Sequence, residues 1–123
     1  MRIFLDTSLL SDLKLLTVSD QIVKRRLEGD EFCLSVITHF QILWGYFSAG
    51  LPTERYERLL DVTEMGISPL TKLDAEEAAR MSPKRDDLLD ALIAASVKRQ
   101  NATIWTRDDD FLKFLPKAKV NLL

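Results

Sequence analysis

The chain has only one histidine and one cysteine, and each shortage excludes something. With His39 alone, no pair of histidines can pass protons as acid and base. With Cys33 alone, no internal disulfide can form. Other things are missing as well. No apolar run approaches the ~20 residues needed to span a bilayer, and the N-terminus lacks the basic-then-apolar layout of a signal peptide. There is no Gly-rich phosphate loop, no Cys/His metal cluster and no nucleophilic serine triad. Charge is nearly balanced: 17 Lys and Arg against 19 Asp and Glu give a net charge of −2. The whole-molecule field therefore does not attract nucleic acid, although local Lys and Arg patches still can. What remains is a globular composition, 46% apolar and 29% charged over 123 residues. That suffices for one core, and residues 1–123 are expected to form one domain. Cys33, in the apolar run at 32–37, reads as a small core residue of a cytoplasmic protein.

Extended and helical patterns alternate along the chain. Residues 2–5 read as a strand. A helix over 8–16 follows, with Leu9, Leu10, Leu13 and Leu16 at helical spacing. Ser19 and Asp20 are placed to cap a second helix through Leu27, stopped at Gly29. Residues 32–37 form the next expected strand, after which Thr38 caps a helix carrying Phe40, Leu43, Trp44 and Phe47. Phe40, Trp44 and Phe47 are expected in the core rather than on a base-stacking platform. An amphipathic helix at 53–63, a strand near 67–70 and a short helix at 74–81 follow. The longest helix spans 86–100 and is rich in Ala and Leu. A strand at 103–105, a short helix at 108–115 and an edge strand at 120–122 complete the series. Short connections between alternating elements imply an α/β fold with a mainly parallel central sheet and helices on both faces.

Three aspartates occupy special places in this pattern. Asp6 follows the first strand, Asp90 opens Ala91-Leu-Ile-Ala-Ala95, and Asp108 follows Thr103-Ile-Trp-Thr-Arg107. In open α/β sheets, chemistry gathers beyond the carboxyl ends of the strands. Each acid also has a plain explanation, since acids complement the positive N-terminus of a helix. Capping accounts poorly for Asp108, Asp109 and Asp110 in one turn, because like charges there repel without a counter-ion. Asp90 has small apolar neighbours, where a carboxylate is costly unless paired or metal-bound. Asp87, three residues before it, shares its helix face. A divalent metal would reconcile such acids, and hydrolysis of a phosphodiester is chemistry such a site can perform. Arg107, Lys84 and Arg85 are candidates to contact a nucleic-acid backbone. Other basic clusters, at 24–26, 98–99 and 113–119, are as readily solvated helix faces.

Four blocks then combine: Ile3-Phe-Leu-Asp-Thr-Ser8; Ser35-Val-Ile-Thr38 with Gln41-Ile-Leu-Trp-Gly45; Asp90-Ala-Leu-Ile-Ala-Ala95; and Thr106-Arg-Asp-Asp-Asp-Phe111. In this order they resemble a PIN domain, most closely a small VapC-like toxin ribonuclease. The resemblance implies a three-layer α/β/α fold and a metal-dependent endoribonuclease acting on RNA. It implies Asp6, Asp90 and Asp108 around Mg²⁺ or Mn²⁺, with Asp110 as a further ligand or water partner. Ser8 and Thr106 fall where the family often places supporting polar groups. A small antitoxin protein blocking the acidic pocket, and a homodimer, are implied in the same way.

Gln41 departs from the family pattern, because it occupies the place of an acid. It has nearly the shape of glutamate but is neutral, and it offers a metal only a carbonyl oxygen. Three readings stay open: a change introduced to disarm a toxic nuclease, a natural domain with weakened or lost activity, or an active site in which Asp87 or Asp110 compensates. A catalytically silent PIN-like interaction module is therefore the main alternative. A receiver-type signalling domain fits less well. Ile67-Ser-Pro-Leu-Thr71 supplies no phospho-acceptor Asp, and Thr106-Arg107 stands where a Lys is wanted. His39 is expected in an ordinary surface or capping role, and Tyr46 and Tyr56 on a dimer or partner surface.

Overall fold

The computed structural model describes residues 1–10 and 12–123, with 12–19 described by their backbone alone. Five strands form one sheet in the order β3-β2-β1-β4-β5: β1 Arg2–Leu5, β2 Glu31–Ser35, β3 Gly66–Ser68, β4 Thr103–Thr106 and β5 Val120–Leu122. Every neighbouring pair is parallel. The central strand explains the layering. Ile3 and Leu5 belong to one buried cluster and Phe4 to another, as the period-2 geometry of a strand requires. Both faces of the sheet are thus covered, which is why the strand is apolar without alternation.

The helices are α1 Asp12–Leu27, α2 Val36–Ser48, α3 Glu54–Thr63, α4 Lys72–Arg80 and α5 Leu88–Arg99. One cluster joins Ile3, Leu5, Phe32, Leu34 and Trp105 to Ile22 of α1 and Tyr56 of α3. Phe32 meets Trp105 edge-on, with ring centroids 5.1 Å apart. The other joins Phe4, Cys33 and Ile104 to Ile93, Ala94 and Val97 of α5. Ala91 and Ala95 turn to Ala78 of α4, so small side chains seat α5 between sheet and helix. Burial pushes the Cys33 thiol up to about 12, which suits an inert core residue. No helix among the described residues is long and apolar enough to cross a membrane.

The expected parallel sheet and flanking helices are present, but several details differ. The helix expected over 8–16 begins as a single 3-10 turn, Thr7–Leu9, and α1 then runs unbroken across the supposed cap at Ser19 and Asp20. No Gly or Pro interrupts 12–27, and propagating a helix is easier than nucleating a second one. The side chains of Leu13 and Leu16 lie outside the described residues. Strand β2 ends at Ser35, whose hydroxyl accepts from Ile37 N at 3.1 Å. Ser35, not Thr38, is therefore the cap of α2, and Thr38 is fully buried inside it. The strand expected near 67–70 lies at Gly66–Ser68. The helix expected at 74–81 starts at Lys72, capped by Thr71 and Asp74 in a reciprocal box. The long helix is α5 preceded by a 3-10 turn at Arg85–Asp87, and the 108–115 helix is a 3-10 segment, Asp109–Lys113.

Phe40, Trp44 and Phe47 are not core residues. They are 60%, 64% and 69% exposed, spaced four and three residues apart along one face of α2. Ile42, Leu43 and Tyr46 pack inward instead. Tyr56 is buried rather than on a partner surface, and it explains His39: the ring Nδ1 lies 2.6 Å from the Tyr56 hydroxyl. Tyr46 stacks on Tyr56 at 6.1 Å.

Candidate metal centre

Parallel strands deliver their carboxyl ends to one edge, and β1 and β4 are adjacent there. Asp6 extends this pairing, its backbone N donating to Trp105 O at 3.0 Å. Its carboxylate Oδ2 accepts from Ser8 Oγ and from Thr106 Oγ1, both at 2.8 Å. Each hydroxyl is itself an acceptor: Ser8 Oγ takes Arg107 N at 3.0 Å, and Thr106 Oγ1 takes Asp108 N at 2.9 Å. Asp108 Oδ1 in turn accepts from Asp110 N at 2.9 Å, capping the turn that carries the next acids. One chain of hydrogen bonds therefore joins the loop after β1 to the loop after β4. It fixes Asp6, Asp108 and the start of Asp110 relative to one another.

The first turn of α5 brings Asp90 to the same edge. Burial, and then the charges of Asp6, Asp108, Asp110 and Asp87, push its pKa from 3.8 up to about 6. Carboxylate oxygens of Asp87, Asp90 and Asp110 lie within 4.8 Å of one another, and so do those of Asp108, Asp109 and Asp110. Asp6 belongs to neither group, although its charge heads those acting on Asp90. Two acidic triads thus meet at Asp110, one of them containing Asp90, and the charges of Asp6 and Asp108 act on Asp90 as well. Asp87 was expected as a supporting residue or as an acid compensating for Gln41. Its share of the convergence follows from the 3-10 turn, which carries it into α5 three residues before Asp90.

Lys113 is the residue that sequence reasoning left among the basic clusters. Its ammonium is 3.1 Å from Asp110 Oδ1 and 3.4 Å from both Asp87 oxygens. The available signal was its spacing of three residues from Asp110. Asp110, followed by Asp87, raises the Lys113 pKa. Most other basic clusters are consumed elsewhere. Arg25 pairs with Asp30, Arg26 with Glu64, Lys98 with Glu77 and Arg99 with Asp74. Lys84, Arg85 and Arg107 are exposed and, among the described residues, form no ion pair.

Gln41 is held by Thr7, the neighbour of Asp6 in the chain. Its Oε1 accepts from Thr7 Oγ1 at 3.1 Å. Together they line a shallow groove of about 330 Å³ with Leu10, Ile42, Gly45, Tyr46 and Leu51. A Cβ at Gly45 would meet nothing within 4 Å, so the groove is open on this side. Phe40, Trp44 and Phe47 stand exposed on the helix that forms one wall.

The PIN domain family model matches residues 3–114. Three solved structures share the fold. A toxin–antitoxin complex from Klebsiella pneumoniae is 22% identical, with 96% of this chain and 94% of that chain covered and a TM-score of 0.61. VapBC-1 from nontypeable Haemophilus influenzae is 16% identical, with 99% and 98% covered and a TM-score of 0.73. VapBC2 from Rickettsia felis, bound to a promoter DNA fragment, is 17% identical, with 100% and 98% covered and a TM-score of 0.67. No curated protein matches the chain.

Proposed function

The chain belongs to the PIN domain family, and from that premise we propose that it is a metal-dependent endoribonuclease, the toxin of a toxin–antitoxin pair acting in the cytoplasm. The observation that carries this reading is the convergence of Asp87, Asp90 and Asp110 at the strand ends, with Asp90 lifted to about 6 by its neighbours. The donor set fits a hard cation. It is built of carboxylate oxygens, which suit Mg²⁺ or Mn²⁺, and contains no thiolate or imidazole to favour softer metals. A bound divalent ion supplies charge neutralisation at the phosphoryl oxygens and a more acidic water.

The chain's own residues divide the remaining work. Asp90, Asp110 and Asp87 offer the carboxylates that hold the ion. Asp6 and Asp108 add ligands or orient water, their positions fixed by Ser8 and Thr106. Arg107 adjoins Asp108, and Lys84 and Arg85 precede Asp87 in the chain, so their free charges flank the acids on both sides. They bind the RNA phosphates that the acids alone would repel. An antitoxin segment occupies the groove beside Gln41 and the exposed stripe of Phe40, Trp44 and Phe47. That the fold neighbours are toxin–antitoxin complexes supports this partner. A homodimer belongs to the same proposal by family resemblance.

One observation favours the silent interaction module instead. Gln41 is neutral and tied to Thr7, so it contributes no charge to the metal. Incubating the purified chain with a varied RNA panel and Mn²⁺ separates the two readings. Cleavage is expected, stopped by chelation and reduced at least roughly a hundredfold by Asp90→Asn, since metal stabilisation is worth several kcal/mol. Failure of both the unaltered chain and Gln41→Glu to cleave any RNA would leave the silent module as the better reading.

A further inference from the structure

We infer that Lys113 is a built-in counter-ion of the acidic cluster and competes with the divalent ion for the same carboxylates. This rests on the metal reading above. The 3-10 turn that starts with Asp109 and Asp110 ends on Lys113, which folds the ammonium back over Asp110. The same ammonium reaches across to both oxygens of Asp87. It therefore touches two of the three acids whose oxygens converge, while Asp90 faces the remaining negative charge.

Lys113 differs from the other paired cations. Arg99 serves an acid that is fully buried and already hydrogen-bonded, and Lys98 serves Glu77, away from the rim. Lys113 instead gives one positive charge to a group holding three negative charges, with Asp6 and Asp108 adding more. Its side chain is 51% exposed and sits on a flexible stem, so it can leave without disturbing the core. An ammonium and a divalent cation on the same oxygens repel each other. Metal entry and departure of Lys113 are accordingly one linked event. Lys113 steadies the metal-free cluster and weakens its grip on the ion.

The test is calorimetric titration of Mn²⁺, without RNA, into the full chain and its Lys113→Met, Lys113→Gln and Lys113→Arg variants. Exposed ion pairs are worth up to about 1 kcal/mol and 1.4 kcal/mol is tenfold, so the two neutral variants should bind Mn²⁺ roughly fivefold tighter. Lys113→Arg, which keeps the charge, should stay near the unaltered chain. Melting gives a second readout. Without metal the neutral variants should melt lower, and added Mn²⁺ should raise their Tm more than it raises that of the unaltered chain. If the folded neutral variants bind Mn²⁺ no tighter than the unaltered chain, the role of Lys113 is refuted and the metal site survives. If none of the four proteins binds Mn²⁺, the metal reading fails and takes this inference with it.

Discussion

At the C-terminal end of α5, Arg99 reaches Asp74 of α4 through two bonds, Nε to Oδ1 at 2.6 Å and Nη2 to Oδ2 at 3.2 Å. Ser96 Oγ and Thr71 N complete the arrangement at 2.9 and 3.1 Å. Asp74 has no exposed surface, yet its carboxyl lies below the ordinary range. Burial alone would raise it, and Arg99, Ser96 and Thr71 outweigh burial. At the N-terminal end of the same helix the opposite holds. Asp90 meets four other acids, and burial and repulsion together push it up to about 6. The difference separates an acid that belongs to the fold from acids that belong to a site. The first is supplied with its donors by the chain; the second repel one another under the partial cover of Lys113 and, on the proposed reading, take a cation from outside.

The largest effect that could break this contrast is on stability. Asp74→Ala strands Arg99 and the Thr71 cap, and should cost about 3 kcal/mol in urea denaturation, the lower end of the range for breaking a buried pair because Arg99 is partly exposed. Asp90→Asn removes a repelled charge and should leave the metal-free chain equally stable or more so. Equal losses for the two variants would erase the distinction.

A smaller effect should appear in the pH dependence of melting without metal. The folded pKa of Asp90 is raised, so the folded chain holds an extra proton between about 4 and 6. Its stabilising share is therefore complete below 3.8 and lost as pH rises through about 6. Asp74 runs the other way: its share is present above 3.8 and lost as pH falls through its lowered folded value. Asp90→Asn should flatten the profile between pH 4 and 7, and Asp74→Asn should alter it only at lower pH. The reverse assignment would contradict the comparison.

The smallest effect concerns the cations. Arg99 is consumed by Asp74, whereas Arg107 is free to meet phosphate. Each lost contact to single-stranded RNA should lower the slope of log K against log salt by about 0.7, so Arg107→Ala should shift it by that amount on every sequence. An unchanged slope would move Arg107 off the RNA path.

Much of this was readable in the chain. The apolar runs ending at Asp6 and before Asp108 located β1 and β4, because fully buried parallel strands show little else. Asp90 stood out because small apolar residues follow it. Other features depended on distant partners. Asp74 and Asp90 both open helices, and only folding brings Arg99, 25 residues on, to the first. α2 is apolar around most of its surface, so periodicity alone could not place Tyr46 inside and Trp44 outside. Thr38 was expected as the cap because the strand was carried to residue 37; the strand ends two residues earlier, and Ser35 caps α2 instead. Gln41 was recognised as a missing acid, but its bond to Thr7 depends on the 3-10 turn that replaced an expected helix.

The most direct test of the central claim is a crystal of the chain soaked in Mn²⁺ and measured for anomalous scattering. The account predicts a peak within coordination distance of Asp87, Asp90 and Asp110, with the Lys113 ammonium withdrawn from it. A site that stays free of metal, or one that gathers it away from Asp90, would contradict the account.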